Sequence, residues 1–239
     1  MQSLANLTWS TMPTRPLALV PTGSFEQHGP HLPFDTDVVI AEEVAKVAAL
    51  LIGPDAVVLP PLVYGSSGEH QSFPGTVSIG RQALVHVLIE FVRSAAHWTD
   101  RVIFVNAHGG NITALAEAVT QLRFEGHDCA WVACATEDVD AHAGYTETSI
   151  MLHLAPHRVR LDLAEIGNTA SIRDLLPEII AGGVSAVTSN GVLGDPAGAT
   201  AAEGARCLKE MARDVSEFVK GNLVNTHGQL IPTASGVHS

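Results

Sequence analysis

Short apolar runs alternate along the chain with polar, Gly/Pro-rich loops and helical stretches. Leu17-Ala18-Leu19-Val20 reads as a buried strand stopped by Pro21. A polar loop runs from Thr22 to Asp37, and residues 38–52 have helical composition ended by Gly53-Pro54. Ala56-Val57-Val58-Leu59 is the next strand, stopped by Pro60-Pro61, and a Gly/Ser loop follows from Tyr64 to Gly75. Leu84, Leu88, Phe91, Val92 and Ala95 recur at helical spacing and predict an amphipathic helix over 84–98. Val102-Ile103-Phe104-Val105 is apolar at every position, as a strand covered on both faces must be. After His108-Gly109-Gly110-Asn111 a helix is expected to about Glu125, then a strand over 129–134 and a short helix near 147–154. Thr200-Ala201-Ala202-Glu203 fits a capping box opening a helix whose buried stripe is Leu208, Met211, Ala212, Val215, Phe218 and Val219.

Strand, loop and helix repeated in this way predict an α/β fold, a mostly parallel sheet with helices on both faces. Repeats, linkers and shifts in composition are lacking, so one domain over 1–239 is expected, with its core at about 17–220 and peripheral termini. In such sheets ligands bind beyond the carboxyl ends of the strands. The loops after 17–20, 56–59, 102–105 and 129–134 lie there, and they carry the candidate chemistry.

Composition narrows the function. The 239 residues are 46% hydrophobic and 16% charged, which describes a globular chain. With 13 basic and 25 acidic residues the net charge is −12 and no basic run exists, so nucleic acid and anionic membrane surfaces are poor partners. No apolar stretch approaches the length of a membrane span. The N-terminus lacks the pattern of a secretory signal. Cys129, Cys134 and Cys207 fit no zinc-finger spacing and read as reduced residues of a cytoplasmic protein. Their apolar settings make them inert rather than nucleophilic. Twelve histidines are the anomaly.

Four constellations carry the chemistry. In Gly23-Ser24-Phe25-Glu26-Gln27-His28-Gly29-Pro30-His31, residues i and i+2 of an extended segment face one way. Glu26 and His28 then suit a divalent metal, with Asp37 in reach if the loop doubles back. The alternative is a loop whose Glu and His only cap backbone. In Asn106-Ala107-His108-Gly109-Gly110-Asn111 the strand exit aims His108 at the rim, while Gly109 and Gly110 let backbone N–H groups approach a ligand. A tight turn with an incidental histidine is the bland reading. In Asp138-Val139-Asp140-Ala141-His142-Ala143-Gly144-Tyr145-Thr146-Glu147, His142 and Glu147 are such that one can be a ligand and the other a proton shuttle. An acidic loop entering a helix is the alternative there. Gly65-Ser66-Ser67-Gly68-Glu69-His70 is not a nucleophile elbow, and Glu69 and His70 fit a substrate pocket better than a metal. The histidines at 86, 97, 127, 153, 157, 227 and 238 read as solvated or structural.

These segments, together with Gly191-Val192-Leu193-Gly194-Asp195-Pro196 and its continuation to Thr200, resemble the creatininase family of metal-dependent amidohydrolases over about residues 17–220. The resemblance implies a three-layer α/β/α sandwich, two divalent metal ions and a homohexamer; mixed N/O ligands accept zinc, iron or manganese. It implies that Glu26 and His28 bind different metals, that Asp37 bridges them and that His108 is a further ligand. Members that hydrolyse creatinine have a glutamate at the position of Gly110 and tryptophans before the His142 motif. This chain has neither, so Glu147 becomes the remaining ligand and creatinine is disfavoured. His142, by its position and the pKa class of imidazole, is the candidate proton shuttle to the leaving nitrogen. Tyr64 to Phe73 and the 191–204 segment look most like the branch that trims a modified ribosomal precursor peptide, releasing a C-terminal core dipeptide derived from Val-Tyr. Rival readings are a family member acting on a formamide or a small cyclic amide, and a non-catalytic metal-binding protein of the same fold.

Overall fold

The apolar runs become neighbouring strands of one parallel sheet. The computed structural model describes residues 2–135 and 140–233. Its strands are β1 (Gln2–Ser3), β2 (Leu17–Thr22), β3 (Ala56–Val58), β4 (Arg101–Asn106) and β5 (Cys129–Ala133), in the order β1-β3-β2-β4-β5. The central register pairs Leu17 with Arg101 through to Thr22 with Asn106, so β2 and β4 end level. Their following loops therefore leave the sheet side by side.

Successive side chains of a strand face opposite ways, and both faces here are apolar. On one side Leu19, Val58, Ile103, Val105 and Val132 pack against helices α1 (Thr36–Ile52), α4 (Tyr145–Leu154) and α6 (Ala201–Gly221) through Val44, Ala48, Ile150, Met211 and Val215. On the other side Ala18, Val20, Val102, Phe104 and Trp131 pack against α2 (Arg81–Ala95) and α3 (Ile112–Phe124) through Leu84, Leu88, Leu115 and Leu122. Each large side chain buried there contributes roughly 1.5–3 kcal/mol by area transfer. The result is the three-layer α/β/α sandwich. Gly204 lets α6 lie directly on α4: a Cβ there would sit 2.7 Å from the Ile150 nitrogen.

The structure departs from the sequence reading in three places. Helix α5 (Ile172–Gly182) forms despite Pro177, capped by Ser171, whose hydroxyl accepts from the Asp174 nitrogen. Only half of the expected capping box forms at α6: Thr200 accepts from the Glu203 nitrogen, but the Glu203 carboxylate turns to Arg206, 2.6 Å away. Nor are both termini peripheral, because Gln2 and Ser3 pair with β3 and the backbone of Trp131 bonds to Gly228 and Leu230. No helix among the described residues is long and apolar enough to cross a membrane.

Candidate metal centre

Four rim loops converge because buried polar groups tie them together. Gly23 ends β2 against the first turn of α1, where a Cβ would lie 2.6 Å from the Val38 nitrogen. That contact sets Asp37 beside the loop it terminates. The loop itself doubles back, with Glu26 N bonded to Phe34 O at 3.0 Å. Asn111, fully buried, donates to Gly23 O and to Asn106 Oδ1 and accepts from Ser66 N, so one amide staples the loops after β2, β3 and β4. The fourth loop is held by an antiparallel bridge in which His142 N bonds to Leu193 O (3.1 Å) and Leu193 N to His142 O (2.9 Å).

The side chains so presented form one cluster. Glu26 Oε1 lies 3.3 Å from both His70 Nε2 and His108 Nδ1, and 3.7 Å from His142 Nδ1. Asp37 Oδ1 lies 3.0 Å from His28 Nε2, and Asp37 Oδ2 lies 3.4 Å from His108 Nδ1. Glu147, in the first turn of α4, brings Oε2 to 3.9 Å from His28 Nε2 while accepting from the Ala143 nitrogen. Glu26, His28 and Asp37 form one group able to hold a metal ion, His28, His142 and Glu147 a second, and Glu26, His70 and His142 a third.

Two observations show that the cluster suits divalent cations. Both oxygens of Glu26 and Oδ2 of Asp37 are buried without a hydrogen-bond partner, a costly state for carboxylates unless charge offsets it. Three imidazoles also carry the outward anchor typical of metal-bound histidine. His28 Nδ1 lies 3.1 Å from Glu26 O, His108 Nε2 3.2 Å from Ser66 O, and His142 Nε2 2.8 Å from Gln27 O. A ring nitrogen facing a carbonyl carries the proton, so in each neutral ring the other nitrogen turns a lone pair toward the carboxylates.

Without a cation, protons take its place. Burial disfavours charge on His28 and His108, but Asp37 beside the first and Glu26 beside the second hold both up at about 10. Burial pushes Glu147 up to about 7 and raises Asp37. Burial also opposes charge on Glu26, yet His108 and His70 hold it well below the carboxylate range. His142 is driven well below the usual imidazole range by burial and by His28, and His70 falls to about 4 mainly through burial. Binding of a cation requires the raised groups to release their protons.

The cluster floors a cavity of about 740 Å³. Glu69, His70, Gly109 and Gly110 line it, as do Ile172, Leu176 and Ile180 of α5. Position 110 is closed to side chains: a Cβ there would press on Ser66 O, the Glu69 carboxylate and His108 Nε2. Burial pushes the Cys129 thiol up to about 12, and burial together with the nearby Asp37 carboxylate pushes Cys134 up as well, so neither is a ready nucleophile.

All ten residues singled out from the sequence, Glu26, His28, Asp37, Glu69, His70, His108, Gly109, Gly110, His142 and Glu147, meet at this rim. Asp138 and Val139 of the third constellation, and His238, lie outside the described residues. Sequence reasoning passed over Asn111 and Gln27. Gln27 sits between two candidate ligands, where alternation would turn it away from them. It also missed how close His70 lies to Glu26, a contact made across 43 intervening residues.

Comparison with known proteins identifies the family. A family model described as creatininase, creatinine amidohydrolase, matches residues 5–219. The chain is 54% identical over 209 residues to the mycofactocin precursor peptide peptidase of Mycolicibacterium smegmatis, covering 86% of this chain and 85% of that one. It is 52% identical over 219 residues to the peptidase of the same name from Mycobacterium ulcerans, covering 88% of each. A solved structure described as creatininase with Mn superposes with a TM-score of 0.77 at 25% identity, covering 92% of this chain and 98% of that one. The chain belongs to the creatininase family and is a hydrolase.

Proposed function

We propose that this creatininase-family hydrolase cleaves a peptide bond in a modified ribosomal precursor peptide, the mycofactocin precursor, and releases a C-terminal core derived from Val-Tyr. The observation that carries this reading is the 54% identity to a mycofactocin precursor peptide peptidase over 86% of the chain. Position 110 supports it against creatinine, since the space where a side chain would stand is already filled by Glu69 and His108.

Glu26, His28, Asp37, His108 and Glu147 would hold two divalent ions, zinc, iron or manganese, with Asp37 serving both. The two Asp37 oxygens face two different histidines, which is the arrangement a bridging carboxylate needs. Such ions, when bound, would supply the Lewis acidity that polarises an amide carbonyl and lowers the pKa of water toward ~7. His142 Nδ1, unprotonated and buried, would take the proton released by the attacking water and pass it to the leaving nitrogen as the C–N bond breaks. Glu69, His70 and the backbone of Gly109 and Gly110 line the space where the peptide lies. The protein works in the cytoplasm as a homohexamer. Light scattering is expected to give about six times 25.1 kDa, and a single-chain mass would contradict the assembly.

The substrate is tested by offering the metal-loaded protein the modified precursor, the unmodified precursor, creatinine and a formamide. Mass spectrometry is expected to find only the modified precursor cut, with cutting abolished by a chelator. Hydrolysis of a small amide with the precursor left intact would overturn the reading.

A further inference from the structure

His70 is the one imidazole of the cluster whose outer nitrogen does not face a carbonyl. Its Nδ1 lies 2.8 Å from the side-chain nitrogen of Gln27. Backbone groups fix which way that amide points. Gln27 Oε1 accepts from the Gly29 nitrogen at 2.9 Å, and Gln27 Nε2 donates to Gly191 O at 3.0 Å. The same nitrogen lies 3.1 Å from His142 Nε2, but that ring nitrogen gives its own proton to Gln27 O and has no lone pair left, so the second amide hydrogen goes to His70 Nδ1, which accepts it. The proton of a neutral His70 then sits on Nε2, the nitrogen 3.3 Å from Glu26 Oε1. The main-chain carbonyl of the same Gln27 takes the Nε2 proton of His142 and leaves Nδ1 of that ring bare toward Glu26.

We propose that Gln27 is a positioning residue that sets His70 and His142 in opposite roles, so that His70 turns an N–H toward Glu26 and is no metal ligand, while His142 turns a lone pair toward it. This rests on the metal reading given above. It divides the Glu26, His70 and His142 group, whose three ligand atoms are otherwise close enough for an ion. It also accounts for Gly191, in the left-handed region at φ 80°, where any side chain would collide with the Gln27 amide. The strip that follows it pairs with His142 through Leu193, so a single segment holds both the clamp and one of its targets.

Cobalt(II) is the probe, read by its visible absorption and by competition for its affinity. His70→Gln places an amide N–H where the ring Nε2–H stood. It is expected to leave the cobalt spectrum unchanged and the affinity within about threefold, because only ligand loss changes the coordination. Gln27→Met keeps the volume and removes the donor; His70 is then free to turn a lone pair toward the Glu26 carboxylate, and cobalt is expected to weaken roughly 10–100-fold, as when the support of a metal-ligating group is lost. In the double variant Gln27→Met/His70→Gln most of that loss is expected to vanish, since a glutamine at 70 has no tautomer to set. Circular dichroism checks that each variant is folded. A changed spectrum in His70→Gln, or a Gln27→Met loss that persists in the double variant, would overturn the proposal. Failure of the parent protein to bind cobalt would overturn instead the metal reading beneath it.

Discussion

Asp37 Oδ1 lies 3.0 Å from His28 Nε2, nine residues away along the chain and buried with it. The other oxygen of the same carboxylate faces His108, so Asp37 stands between the two halves of the cluster. Replacing Asp37 by Ala is expected to empty both metal positions, from about two ions per chain to none, because a bridge serves both. Elemental analysis finding two ions retained would show that Asp37 does not bridge.

His142 distinguishes proton transfer from ligand support. As a proton carrier its removal leaves metal content normal and lowers kcat by about 10²–10⁴-fold. His142→Ala is expected to behave so. A metal-depleted variant whose rate returns on adding metal would assign His142 to holding the metal instead.

Proton binding sets the stability of the metal-free protein. His28 and His108 hold their protons to about pH 10, against 6.5 in the unfolded chain. A raised imidazole contributes stability that is complete below the unfolded value and disappears as pH climbs through the folded one. Burial raises Glu147 from 4.5 to about 7, which acts in the same direction over a lower window. Urea unfolding of the metal-free protein is therefore expected to become easier from about pH 6.5 to 10. Excess metal, which displaces those protons, reverses the trend. A metal-free protein that gained stability across this window would contradict these assignments.

Gly109 and Gly110 are adjacent but not equivalent. A Cβ at 109 meets nothing within 4 Å, whereas one at 110 strikes Ser66, Glu69 and His108. Gly110→Ala is expected to cost roughly 1–3 kcal/mol in urea unfolding, as overpacking does. Gly109→Ala stays within about 0.5 kcal/mol. Equal effects would mean that the loop relaxes freely at 110.

Much of this architecture is legible along the chain because burial on both faces of a parallel sheet demands continuous apolar runs, as at 102–105. Helix α5 is written as plainly, with Ile172, Leu175, Leu176, Ile179 and Ile180 at helical spacing behind Ser171, yet Pro177 hides it. Proline inside a helix removes one hydrogen bond and crowds the carbonyl four residues earlier, so the sequence pattern reads there as a break. The candidate ligands were visible as acid–histidine pairs at strand exits. The contacts that orient them were not, because Gln27 to His70 and His142 to Leu193 are pairings between distant segments with no local period. β1 has only two residues, too few to show any period.

The metal positions themselves give the most direct test. Crystals grown with manganese or zinc, measured at the absorption edge of that metal, locate each ion without reference to activity. Two anomalous peaks are expected beside Asp37, one contacted by His28 and Glu147 and the other by Glu26 and His108, with His70 touching neither. No peak at Asp37, or one peak bound through His70 Nε2, would contradict the site described here.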